Sequence, residues 1–131
     1  MAKISFWVNA VPRSLAAEKK ENYLAEIKKA ASDVFSAPLK SPRLDVDIIF
    51  AAKNRNLRAD VDNVAKPILD ALKGIVYEDD KQVRSVRIVA LPLDDAFRIG
   101  GPVSHEAFLR LLKCEDFLVI VKEGLSLPVE F

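Results

Sequence analysis

Apolar and polar residues alternate over residues 3–9, "KISFWVN", with Ile4, Phe6 and Val8 on one side and Lys3, Ser5 and Trp7 on the other. A period of two predicts a strand. The period then lengthens. Over 15–36, Leu24, Ile27, Ala31, Val34 and Phe35 recur at helical spacing, and Lys19, Lys20, Glu21, Glu26, Lys28 and Lys29 take the other face. That is an amphipathic helix, preceded by Pro12 and Ser14 and followed by a loop bounded by Pro38 and Pro42. Alternation returns over 43–52, with Leu44, Val46, Ile48 and Phe50 set against Asp45, Asp47 and Ile49.

"KNRNLR", residues 53–58, has no clear period and reads as a loop. A helix over 62–75 follows, with Val64, Ile68, Ala71, Leu72 and Ile75 on one stripe and Asp62, Lys66, Asp70 and Lys73 on the opposite one. Pro67 lacks a donor inside this helix, which predicts a tight or irregular first turn. Gly74 and the turn "YEDD" end it. Residues 82–91 predict a third strand, with Val86, Ile88 and Ala90 on one face and Pro92 closing it. A short helix capped by Ser104 runs through Lys113, with Phe108, Leu111 and Leu112 inward. "FLVIV", 117–121, is apolar throughout, which predicts a strand covered on both faces or lying in a subunit interface. The order β-α-β-α-β-α-β gives an α/β (α+β) fold, helices packed against one mixed sheet, over residues 1–131 as a single domain.

Composition narrows the class. Half of the residues are hydrophobic, which supports a packed core and argues against disorder. The formal net charge of +1 gives no global signal for a polyanionic partner, although a local basic stripe remains compatible with it. The single cysteine, Cys114, excludes a disulfide framework within the chain. No apolar run approaches the ~20 residues that cross a bilayer, and the N-terminal apolar region is too short for a signal peptide. A cytoplasmic protein without a membrane partner is expected.

Three acidic clusters differ in their surroundings. Asp45 and Asp47 share one face of a strand, the pattern of a solvated strand face. Asp94 and Asp95 follow a strand and a proline and read as a turn. Asp60 and Asp62 stand between a basic loop and a helix start. Either could cap the helix, accepting a backbone N–H. Together they could also hold a hard cation, because Mg²⁺ prefers carboxylate oxygens and retains waters. One cap needs one carboxylate, and here there are two. Lys66 lies one turn beyond Asp62 on the same face, where it could hold a phosphate, and a third cluster, Glu78-Asp79-Asp80, follows the helix. Lys53, Arg55 and Arg58 could hold flanking backbone phosphates.

Two other motifs fail. "DVDNV" is similar to the aspartate motif of haloacid-dehalogenase-type phosphatases, but that motif follows a buried apolar strand, and "NRNLRA" precedes it here. "HEAFL" opens like a zinc-protease helix, but Leu109 stands where the second histidine is needed, and His105 is the only histidine.

"RNLRADVDNVAKPILDALKGIVYEDDKQV", residues 55–83, resembles the signature of RusA-type Holliday junction resolvases. The likeness comprises a basic loop, D-x-D-N, a lysine four residues on, a D-A-L helix and D-D-x-Q-V. It implies a Mg²⁺-dependent endodeoxyribonuclease, with Mn²⁺ as a substitute ion, acting as a homodimer on four-way DNA junctions in recombination and repair. Asp60, Asp62 and Asp80 match the acidic ligands and Lys66 the essential lysine. Lys53, Arg55, Arg58 and Lys66 would contact DNA, while Asn63, Asp70 and Asp79 would support the ligands; Gln82 also matches the pattern. The first loop, "AVPRSLAAEKK", lacks the family's asparagine pair, and segment 94–115 is longer than the family's C-terminal part. Two other functions suit the same residues: a junction-binding module without catalysis, and a small-molecule phosphohydrolase.

Overall fold

The structure, a computed structural model, describes residues 3–10, 20–52, 61–92, 105–113 and 115–124. Its elements are β1 (Lys3–Val8), α1 (Lys20–Val34), β2 (Leu44–Ala52), α2 (Val61–Leu72), β3 (Val83–Pro92), α3 (His105–Leu111) and β4 (Phe117–Glu123), with a 3₁₀ turn at Asp80–Gln82. The strands form one mixed sheet in the spatial order β1-β4-β2-β3. β2 and β3 run parallel, so the chain must cross the length of the sheet between them, and α2 makes that crossover. β4 lies between β1 and β2, antiparallel to both. A mixed four-stranded sheet with three helices is an α+β fold, the class that the periodicities predict.

One face of the sheet carries the main core. Phe6, Val8, Leu44, Val46, Ile48, Phe50, Val119 and Val121 meet Tyr23, Ile27 and Ala31 of α1 and Val64, Ile68, Ala71 and Leu72 of α2. Each fully buried large side chain here contributes roughly 1.5–3 kcal/mol, so this face holds the fold together. The α1 stripe differs from expectation at one end. Val34 is 46% exposed, whereas Tyr23, one turn before Ile27, is buried. Val34 is the last helical residue; the chain turns there, and Phe35 packs edge-on against Phe6 with ring centres 6.1 Å apart.

The other face is half covered. Leu111 of α3 packs over Ile49, Ala51, Leu118 and Ile120, flanked by Trp7, Val89 and Leu91. Thus Phe117–Val121 is buried throughout, and β4 is covered on both sides as its unbroken apolar run predicts. α3 stops at Leu111, so Leu112 lies past the helix end and is 37% exposed rather than inward.

Asp47 corrects the reading of Asp45 and Asp47 as a solvated strand face. It is only 5% exposed. β2 is an interior strand, and the long side chains of its two neighbours close over this carboxylate: Lys122 Nζ at 2.9 Å from β4 and Arg87 Nη2 at 3.1 Å from β3. Asp45, nearer the open end, accepts a hydrogen bond from Ser85 Oγ at 2.5 Å. Asp94, Asp95 and the side chain of His105 lie outside the described residues.

Candidate active site

α2 sets one wall of the site. Its apolar stripe faces the sheet, which turns Lys66, Asp70 and, just past its end, Lys73 outward. The helix is α-helical from Val61 onward with Pro67 inside it, so the irregular first turn expected from that proline does not occur. It ends at Leu72 instead of 75. Gly74 adopts φ 89°, a left-handed conformation that a side chain would oppose, and its N–H donates to Tyr77 O at 2.7 Å. This reversal brings the following acidic turn back beside the helix.

Tyr77 anchors the return. The residue is 1% exposed, and its phenol donates to the Leu69 carbonyl of α2 at 2.5 Å. Asp79 then caps the 3₁₀ turn, its Oδ1 accepting from Lys81 N at 3.0 Å. Asp80 begins that turn with its side chain 66% exposed, and Lys73 Nζ lies 3.5 Å from its Oδ2.

Lys66, Leu69 and Asp70 of α2 thereby share a cavity of about 350 Å³ with Tyr77, Asp80 and Val83. Ala65 and Val86 complete the lining; Val86 stands on the edge strand β3 and is 39% exposed. The cavity is electronegative at its wall. Burial pushes the Tyr77 phenol up to about 12, and the charges of Asp80 and then Asp70 add to that rise. Both carboxylates therefore act on one point. Hard oxygen donors in a negative field suit a divalent cation, and the lysine beside them suits a phosphate.

The sequence-predicted residues divide accordingly. Lys66, Asp70 and Asp80 come together on the cavity. Asp79 lies next to Asp80 but spends its carboxylate on the turn cap. Asp62 and Asn63 belong to the first turn of α2, one turn before Lys66, with their side chains outside the description. Asp60, Lys53, Arg55 and Arg58 lie outside the described residues. Among the described residues no group of three His, Cys, Asp or Glu gathers at metal-binding range.

Tyr77, Lys73 and Gln82 owe their roles at the site to contacts that periodicity alone does not contain. A second cavity, of about 310 Å³, lies on the opposite sheet face between β1, β4 and α3. Its Arg110 stacks over the Trp7 ring at 4.4 Å and bonds Asp116 at 2.6 Å, so its principal cation is already engaged.

A carboxylate–lysine site at the joint of a helix and a returning turn offers a cation to a phosphate and oxygens to a metal ion. The family model described as Endodeoxyribonuclease RusA matches residues 6–99, from β1 through β3 and across the whole candidate site. The chain belongs to the RusA endodeoxyribonuclease family. Its class is therefore that of a DNA-binding hydrolase, an endodeoxyribonuclease of a family that acts on DNA junctions. No curated protein matches the chain. None of the described helices is long and apolar enough to cross a membrane.

Proposed function

We propose that the protein is a Mg²⁺-dependent endonuclease that resolves four-way DNA junctions as a homodimer, by paired phosphodiester hydrolysis in recombination and repair. The observation that supports this most directly is the shared cavity of Lys66, Asp70 and Asp80 within the family match. Asp60, Asp62 and Asp80 are the carboxylates that would hold the ion. Bound there, Mg²⁺, or Mn²⁺ in its place, supplies Lewis acidity toward the phosphodiester and acidifies a water.

The protein's own groups do the rest. The Lys66 ammonium holds the scissile phosphate and stabilises charge developing on it. Asp70, one turn after Lys66 on α2, supports that ammonium from the helix face. Lys73, which does not line the cavity, balances the charge of Asp80. Lys53, Arg55 and Arg58 neutralise flanking phosphates and fix the strand's register. A two-fold dimer matches the approximate two-fold symmetry of the junction and gives each cut strand its own site.

The test is nicking of a synthetic four-way junction by purified protein with and without Mg²⁺, alongside sedimentation to count subunits. Asp62→Asn keeps the side chain's shape and removes its charge, so cleavage should vanish while junction binding persists. Cleavage that ignores Mg²⁺, or that survives Asp62→Asn, refutes the proposal.

A further inference from the structure

We propose that Gln82 is a positioning residue for this site: its carboxamide fixes the turn that carries Asp80 and so sets how tightly a divalent cation is held. The inference rests on the reading of Asp80 as a cation ligand. Gln82 Oε1 accepts from Glu78 N at 2.7 Å and from Asp79 N at 2.9 Å. Its Nε2 donates to Leu39 O at 2.8 Å and to Ser41 O at 2.9 Å. A carboxamide offers two lone-pair directions and two N–H donors, so this group is used to capacity. A carboxylate would set an acceptor against two carbonyls, and an aliphatic side chain would leave all four groups without their partner.

These bonds join segments distant in sequence. Leu39 N donates to Val76 O at 2.8 Å, and Gln82 grips the next carbonyls, Leu39 O and Ser41 O. Residues 39–41, the approach to β2, thus brace the acidic turn at both of its ends. Asp80 sits inside the braced stretch. Its own carboxylate is mostly exposed, and the 3.5 Å pair with Lys73 is a long surface contact that water screens and weakens. The placement of this carboxylate therefore depends on the backbone beneath it, which Gln82 holds. Gln82 does not line the cavity, so it acts through Asp80 and not on the substrate.

The test is the Mn²⁺ dissociation constant of the full chain without DNA, read by electron paramagnetic resonance, for wild type, Gln82→Met and Asp80→Asn. Gln82→Met keeps the length and removes the four bonds. Groups that orient metal ligands typically change metal affinity by about 10–100-fold, and a weakening of that size is expected in Gln82→Met, with circular dichroism and metal-free junction binding unchanged. Saturating Mn²⁺ should restore nicking to Gln82→Met but not to Asp80→Asn. Equal Mn²⁺ affinity in Gln82→Met and wild type overturns the role of Gln82 and leaves the proposed function standing. A wild type that binds no Mn²⁺ overturns both. Should Gln82→Met not fold, amide exchange in the wild type decides: the Glu78 and Asp79 N–H groups must be protected, and rapid exchange at both overturns the proposal.

Discussion

Tyr77→Phe should produce a stability difference that changes sign with pH. Near neutrality the variant loses only the phenol's hydrogen bond to Leu69 O. That carbonyl keeps a second donor, Lys73 N at 3.2 Å, so no buried acceptor is stranded and the cost is about 1 kcal/mol. At high pH the wild type carries a burden that the variant lacks. Its phenol titrates at about 12 when folded, against an ordinary value of 10.0. The folded state thus binds this proton more tightly than the unfolded chain does. The resulting stabilisation is complete below pH ~10 and disappears as the pH rises toward ~12. By about pH 11 the wild type has lost about 1.4 kcal/mol from this residue, one tenfold step. The two unfolding free energies should therefore cross near pH 11. Urea titrations of both proteins from pH 7 to 11 measure this, and their difference cancels the other alkaline groups. A difference that stays constant across that range would refute the argument that burial beside Asp80 and Asp70 holds the phenol neutral.

The remaining predictions concern charge. Asp47→Asn should cost about 1–2 kcal/mol of stability, less than for a fully buried pair, because Lys122 and Arg87 both reach water. Denaturant unfolding reads that loss, and nicking should not change, since Asp47 lies on the sheet face opposite the cavity. Lys66→Met should lower the single-turnover nicking rate by about 10²–10³-fold, the usual loss when a donor to developing charge is removed, a larger effect than the loss of junction affinity from its one phosphate contact. Arg55→Ala and Arg58→Ala should each flatten the plot of log binding constant against log salt by about 1, measured by fluorescence anisotropy on a labelled junction.

The legible parts of the fold are those encoded by near neighbours. Alternation at Leu44, Val46, Ile48 and Phe50 places β2, and the stripe of Val64, Ile68, Ala71 and Leu72 places α2, because each depends only on its own segment's period. Asp47 was misread for the opposite reason. Its cover comes from β3 and β4, and nothing within β2 announces that Arg87 and Lys122 will arrive beside it. The same holds at the site. The motif contains Lys66 and Asp80, but the returning turn that brings them to one cavity depends on Gly74 at φ 89° and on Gln82 reaching Leu39 and Ser41, contacts between segments with no shared period. Tyr77, seen only as the first letter of a turn, proved to be the link between α2 and that turn.

The position of β4 has a consequence for how the chain folds. The latest of the described strands in sequence is an interior one, and Lys3 must find Lys122 across most of the chain before β1 has any partner. Such distant pairings make folding slow, because loop closure must precede the contacts that reward it. During synthesis, β2, α2 and β3 all emerge before β4. Until β4 arrives, β1 and the inner edge of β2 present unpaired backbone groups, a state prone to association with other unfinished chains. A nascent chain halted before Phe117 would therefore hold every residue of its candidate site and still lack β4, the strand that joins β1 to the rest of the sheet.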